Sequence, residues 1–119
     1  MHPGVVKYED MFLAERMEQG KNKLIVCIVM ELCERGDLST CMTDFRKKRE
    51  HMAEAKAVRW LEQMSSALEY VHSVKMLHRD LKPLNVFITA KDATKLGDFG
   101  LARFLDACNT QKNVHLFML

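Results

Sequence analysis

The sequence lacks several features that would place it outside the cell or in a membrane. It has no C-x-x-C pair, and its four cysteines, Cys27, Cys33, Cys41 and Cys108, form no regular framework, which is typical of reduced thiols. The first residues lack the basic-then-apolar pattern of a secretory signal. The longest apolar run, residues 24–30, is far shorter than the ~20 residues of a membrane-spanning helix. We therefore expect no membrane partner and a cytoplasmic location, with a cytoskeletal or nuclear one as alternatives.

Strong charge of either sign is also missing. Eighteen basic and sixteen acidic residues leave a net charge of +2, so we expect no nucleic-acid partner. There is no internal repeat, no low-complexity segment and no pattern that indicates an oligomeric state. The 48% of apolar residues is instead typical of a chain with a globular core.

Apolar patterns in the first third of the chain predict strands followed by a helix. Residues 5–13 are consistent with a short strand, and the polar residues 14–22, which include a glycine, predict a loop. The uninterrupted β-branched run at residues 24–30 predicts a strand that is buried on both faces. Asp37 or Ser39 could then cap the helix that follows.

The middle of the chain predicts a long helix and then a small hairpin. Residues 53–73 contain no proline or glycine and carry apolar residues every three or four positions, which predicts one buried stripe. Its members are Val58, Leu61, Met64 or Ser65, Leu68 and Val71. Short apolar runs at 86–89 and 94–96, separated by the polar residues 90–93, predict the hairpin. The fold class predicted by these elements together is α+β.

The most informative motifs flank that hairpin. Residues 78–85 read HRDLKPLN, and residues 98–100 read DFG. Each residue taken alone has an ordinary interpretation as a turn or cap residue. Together, in this order and at this interval, the two segments resemble the catalytic loop and the metal-binding loop of protein kinases.

Phosphoryl transfer requires positioning and charge neutralisation, and the two motifs contain side chains suited to both. Asp80 would accept or orient the proton of the attacking hydroxyl, and Lys82 would reach the transferred phosphate as a point charge. Asn85 and Asp98 offer the hard oxygen ligands that Mg²⁺ prefers when it is shared with substrate phosphates. The expected cofactors are therefore ATP and Mg²⁺.

Further segments resemble eukaryotic serine/threonine protein kinases, and the NIMA-related group in particular. They are HPGVV at residues 2–6, IVMELCERGDL at 28–38 and KLGDFGLAR at 95–103. The resemblance implies that Met30 is the gatekeeper and that the backbone of Glu31 and Cys33 hydrogen-bonds adenine. It also implies that Phe87 packs beneath the adenine ring, and that Arg79 pairs with a regulatory phosphate on the activation loop.

The resemblance implies an incomplete two-lobed kinase fold. It would contain two small-lobe strands, the hinge, the first large-lobe helices and the hairpin of the catalytic and metal loops. Residues 1–105 would be a partial catalytic domain and residues 106–119 a divergent tail. The glycine-rich loop, the strand lysine and the regulatory-helix glutamate have no match in the sequence.

Two functions follow as expectations. In the intact protein the domain would transfer the γ-phosphate of ATP to a serine or threonine hydroxyl of a protein substrate, while the 119-residue chain alone would be poorly folded and inactive. The alternative is a non-catalytic fragment that competes for the partners of a full-length kinase. A third interpretation is that the terminal segment reflects an incomplete or alternatively spliced gene model.

Overall fold

A computed structural model describes residues 1–105 of the chain, and the predicted tail at 106–119 lies outside the described residues. The predicted α+β class is confirmed. In chain order the elements are β1 (Tyr8–Glu18), β2 (Lys21–Met30), α1 (Leu38–Lys48), α2 (Glu54–Ser73), β3 (Met76–Leu77), a 3₁₀ turn (Pro83–Asn85), β4 (Val86–Ile88), β5 (Thr94–Leu96) and β6 (Arg103–Phe104). Within the described part of the chain, no helix has the length and apolarity needed to cross a bilayer.

The first two strands form a long antiparallel hairpin, and the loop predicted over residues 14–22 is wrong. Pairing continues along β1 and β2 until Glu18 lies opposite Lys21. Gln19 and Gly20 both have positive φ, at 50° and 75°, and a two-residue turn of this kind matches the twist of the flanking strands. The glycine therefore marks a tight turn, and the polar residues before it lie on a solvent-exposed strand.

The prediction that residues 24–30 are buried on both faces is also wrong for this structure. Only the middle of β2 is partly covered, and Leu24, Val29 and Met30 are exposed. The reason is that β1 is the single strand paired with β2 among residues 1–105. A continuous β-branched run predicts a strand correctly, but it does not show which neighbours cover that strand.

Both predicted helices are present. Of the two proposed caps, Asp37 is the one observed, since its Oδ1 accepts the backbone N–H of Thr40 at 2.8 Å. Helix α2 begins and ends within one residue of the prediction. Its buried face, however, consists of Trp60, Ala67 and Val71, with Met64 and Leu68 partly buried.

The predicted apolar stripe of α2 is therefore correct in its second half and wrong in its first half. Val58 and Leu61 are exposed. Trp60 is buried in their place, and its indole N–H donates to the backbone carbonyl of Asp92 at 2.9 Å. This bond helps to set which face of α2 packs against the second hairpin.

That second hairpin, formed by β4 and β5 as predicted, lies at the centre of the fold. Val86 and Leu96 face each other across it and join Ala67 and Val71 of α2 in the buried core. On its other side, Leu96 exchanges backbone hydrogen bonds with the N-terminal segment, donating to Gly4 at 2.7 Å and accepting from Val6 at 2.9 Å. The loops at both ends of the hairpin are thus held by buried strands.

Candidate active site

The loop before β4 brings three of the predicted site residues into direct contact. Lys82 Nζ lies 2.7 Å from Asp80 Oδ2, and Asn85 Nδ2 donates to the same oxygen at 3.0 Å. Asn85 Nδ2 also donates to the backbone carbonyl of Asp80 at 2.8 Å. The Lys82 ammonium, followed by the Asn85 amide, holds the pKa of Asp80 below its usual value. Asp80 is therefore ionised at neutral pH and can accept a hydrogen bond.

Asn85 is fixed in one orientation. It ends the 3₁₀ turn and is only 4% exposed, with its NH₂ group committed to Asp80. No described residue donates to its Oδ1, yet no buried side-chain polar atom in the described residues lacks a partner. Because the NH₂ group is committed to Asp80, Oδ1 is the Asn85 atom that could serve as an oxygen ligand.

His78 connects this loop to the segment that carries Asp98. Its Nδ1 accepts the backbone N–H of Asp80 at 3.2 Å, and its Nε2 donates to the carbonyl of Gly97 at 2.9 Å. These partners require the proton on Nε2. The buried ring also lies 4.8 Å from that of Phe99, measured between centroids. The sequence interpretation gave His78 no role, although its place within the motif could have suggested one.

Asp98 follows Gly97, whose N–H donates to the carbonyl of Asn85 at 2.9 Å. Asp98 has a φ of 55°, is exposed, and accepts the N–H of Gly100 through Oδ1 at 3.2 Å. Left-handed backbone is uncommon for a non-glycine residue and is often found at functional sites.

The donor set fits a magnesium ion that is shared with phosphates. Across residues 1–105 no three His, Cys, Asp or Glu side chains are grouped to hold a metal ion by themselves. One carboxylate from Asp98 and one amide oxygen from Asn85 are a typical protein contribution when substrate oxygens and water complete the shell.

Two of the predicted adenine-binding residues, Met30 and Glu31, lie where β2 ends, and Glu31 contacts the second hairpin. Met30 ends β2 and is exposed, and the N–H of Glu31 donates to the carbonyl of Lys7 at 2.9 Å. Both carboxylate oxygens of Glu31 accept from Lys95 Nζ at 2.8 Å. Partial burial raises the pKa of Glu31, but the hydrogen bonds from Lys95 and from the Lys7 N–H outweigh it and leave the pKa lowered.

Cys33 and Phe87 occupy positions compatible with their predicted roles. Among the described residues, neither the N–H of Cys33 nor the carbonyl of Glu31 makes a hydrogen bond. Phe87 lies in the middle of β4 opposite Lys95, and its ring is close to Gly97. Burial and then the nearby Glu31 charge raise the pKa of the Cys33 thiol, so this thiol is a poor nucleophile.

Arg79 also has a positive φ, of 64°, and its Nε donates to the carbonyl of Leu101 at 2.6 Å. The contact joins the catalytic loop to the segment that follows Gly100. The structure thus brings Asp80, Lys82 and Asn85 together directly, and places Asp98 beside them through the Gly97 bond. The predicted hinge residues Glu31 and Cys33 form a separate group. The ion pair between Glu31 and Lys95 of β5 connects this group to the hairpin.

The comparisons with known proteins show the family of the chain. The family described as "Protein kinase domain" matches residues 1–117. The chain is 40% identical over 110 residues to human serine/threonine-protein kinase Nek2, covering 88% of the chain and 23% of that protein. It is 38% identical to mouse serine/threonine-protein kinase Nek4, covering 88% of the chain and 12% of that protein.

A solved structure shows the same likeness in three dimensions. A chain in the crystal structure of the yeast RNA Pol II CTD kinase CTDK-1 complex superposes with a TM-score of 0.69 at 28% sequence identity. The match covers 90% of the present chain and 32% of the solved one. The chain therefore spans about a quarter of the length of human Nek2, about a third of this neighbour and about an eighth of mouse Nek4.

Proposed function

This chain belongs to the protein kinase domain family, and from that premise we propose that the protein containing it transfers the γ-phosphate of ATP to a serine or threonine hydroxyl of a protein. The predicted kinase-like fold and the resemblance to NIMA-related kinases are confirmed. The observation that carries the proposal is the contact of the Asp80 carboxylate with both Lys82 and Asn85. None of the comparisons favours the non-catalytic alternative.

The electrostatics of the loop determine what Asp80 can do. Since its pKa is held low, Asp80 is a weak base in the ground state. It orients the substrate hydroxyl by accepting its hydrogen bond, and it takes the proton only as the oxygen becomes acidic on bonding to phosphorus. Lys82, already beside the carboxylate, donates to the phosphoryl oxygens and offsets their negative charge.

The remaining site residues bind and orient the nucleotide. Asn85 Oδ1 and the Asp98 carboxylate would hold Mg²⁺, which supplies charge neutralisation for the phosphates when it is bound. The carbonyl of Glu31 and the N–H of Cys33 would pair with the adenine edge, with Phe87 below the ring and Met30 at the back of the pocket. Protein kinases as a family use ATP and a divalent metal ion.

Two further proposals rest on the sequence. Arg79 would exchange its bond to the Leu101 carbonyl for a phosphate on the activation segment, which would couple phosphorylation to the position of the catalytic loop.

The cytoplasmic location stays a prediction from the cysteine pattern, and microscopy of the tagged protein in cells would test it.

The test is phosphate transfer by the intact protein and its Asp80→Asn variant, measured with γ-³²P-labelled ATP and a generic protein substrate. We expect a loss of about 10²- to 10⁴-fold in kcat, the usual contribution of a positioned proton acceptor. Asp44→Asn, an equal charge change on an exposed residue of α1, should keep full activity. Transfer by Asp80→Asn at half the wild-type rate or more would refute the proposal.

A further inference from the structure

Among the described residues outside the site, Asp92, in the turn between β4 and β5, forms the largest number of ion pairs. Its carboxylate contacts three cationic side chains from distant parts of the sequence: Lys56 at 2.9 Å, Arg35 and Arg59. Its backbone carbonyl accepts the indole N–H of Trp60. The turn is therefore fixed both to α2 and to the loop that precedes α1.

The same loop also holds the neighbouring backbone of β4. Glu34 accepts the N–H of Ala90 through its carboxylate at 2.8 Å. The N–H of Arg35 donates to the carbonyl of Ile88 at 3.0 Å, and the N–H of Ile88 donates to Gly36 at 2.8 Å. These bonds hold the end of β4 and the first residue of the turn, while the Asp92 carboxylate contacts both α2 and the loop.

The opposite end of the hairpin carries the two proposed metal ligands. Asn85 directly precedes β4, Asp98 follows β5 by two residues, and the Gly97–Asn85 hydrogen bond joins the two segments. Each strand has three residues, so the turn lies roughly 10 Å from the ligands at about 3.3 Å per residue. A displacement of the turn relative to α2 would pass through this short ladder to the ligands.

We propose that Asp92 is a positioning residue, which fixes the separation and orientation of Asn85 and Asp98 by holding the hairpin turn against α2. The inference deepens the proposed function and depends on it for its catalytic consequence. Asp92 touches neither ligand, so its effect is indirect.

Exposed ion pairs usually contribute little, but three features distinguish Asp92. Its side chain is only 26% exposed, it meets three cations where an ordinary pair has one, and the Lys56 ammonium also lies 4.5 Å from the centroid of the Trp60 ring. The hydrogen bond from Lys56 is the largest of the interactions that lower the pKa of Asp92, so the carboxylate is charged at neutral pH.

The variant that tests this role is Asp92→Asn in the intact protein. Asp92 has a φ of 60°, and asparagine tolerates left-handed backbone as well as aspartate does, so the turn keeps its shape and loses only the charge. Asp44→Asn is the matched control, because it makes the same chemical change at an exposed site that forms no ion pair with any other residue in the range 1–105. Arg59→Gln, which removes one of the three cations, serves as the second variant if Asp92→Asn does not fold.

Two measurements separate positioning from general stability. In amide hydrogen exchange, we expect Asp92→Asn to exchange the Gly97 N–H about tenfold faster while the amides of α2 keep their wild-type rates. In kinetics, we expect the Mg²⁺ concentration for half-maximal rate at saturating ATP to rise several-fold, with kcat recovered at high Mg²⁺. Asp44→Asn should change neither quantity.

The inference is overturned if Asp92→Asn matches Asp44→Asn in both measurements. It is also overturned if exchange accelerates equally in α2 and the hairpin, since that would show a stabilising role alone. If the wild-type protein transfers no phosphate, the proposed function fails separately. Binding of Mn²⁺ with a non-hydrolysable ATP analogue, followed by electron paramagnetic resonance, then decides the case: weaker binding by Asp92→Asn supports positioning, and equal binding contradicts it.

Discussion

The ion pair between Glu31 and Lys95 connects the proposed adenine-binding segment to the hairpin of the metal ligands, and Lys95→Met isolates its contribution. Methionine keeps most of the length and apolar stem of lysine while it removes the charge. The change leaves the Glu31 carboxylate without its bidentate partner, although the Lys7 N–H still donates to it at 2.6 Å.

The magnitude follows from the geometry and the exposure of the pair. Both oxygens of Glu31 lie 2.8 Å from Lys95 Nζ, and the two side chains are 27% and 19% exposed. Hydrogen bonds to charged groups contribute about 1.5–3 kcal/mol when buried, and fully exposed pairs about 0–1 kcal/mol. For this partly buried pair we expect a loss of about 1–2 kcal/mol in the free energy of unfolding.

Urea unfolding of the intact protein measures this loss. With an unchanged slope of about 2 kcal/mol per molar, the midpoint should fall by roughly 0.5–1 M. Lys23→Met is the matched control, because Lys23 pairs with Glu18 on the exposed hairpin and both side chains are about half exposed or more. That substitution should cost less than about 0.5 kcal/mol.

The pH dependence gives a second check. The folded-state pKa of Glu31 is lower than its ordinary value of 4.5, so the stabilisation is fully present above that value and is lost as the pH falls through the folded pKa. The difference between wild type and Lys95→Met should therefore shrink below about pH 4.5. Equal midpoints for Lys95→Met and Lys23→Met at pH 7, or a gap that widens in acid, would refute the reasoning.

Two further substitutions test other parts of the fold. Asp37→Ala removes the N-cap of α1, where the carboxylate accepts both the N–H and the hydroxyl of Thr40. The loss should lower the stability of the helix by about 0.5–2 kcal/mol. Amide exchange in α1 measures this loss, and protection equal to that of Asp44→Ala would contradict the prediction. Gly97→Ala places a Cβ 2.7 Å from the Phe87 ring, which must then move; we expect about 1–3 kcal/mol of destabilisation and a raised KM for ATP. An unchanged KM would show that Phe87 is not beneath the adenine.

The sequence predicted the central elements well because their patterns are local. The boundaries of α2 and the pairing of β4 with β5 follow from periodicity and from the polar turn between the two strands. The candidate residues Asp80, Lys82 and Asn85 were chosen from one short motif, and the structure brings these three into contact. In each case the residues that decide the structure lie within a few positions of one another.

The predictions that failed depend on contacts between distant segments. Whether residues 24–30 are buried depends on which strands flank β2, and a β-branched run does not contain that information. The face of α2 that turns inward is set partly by the bond from Trp60 to Asp92, across 32 residues of sequence. Asp92 itself appeared only as part of a polar turn, because its three cationic partners come from two other segments.

Within residues 1–105, the two halves of the proposed site lie on hairpins that are buried to different extents. The second hairpin is held by the core residues of α2, by Gly4 and Val6 at one edge, and by the loop at residues 34–36 at its turn end. Hairpin β1–β2, which leads into the adenine-binding segment, has exposed apolar side chains along both strands and few buried contacts. Local opening requires little free energy where few apolar contacts are broken. Among residues 1–105, the Glu31–Lys95 pair therefore connects the end of a hairpin that has few buried contacts to the more deeply buried hairpin β4–β5.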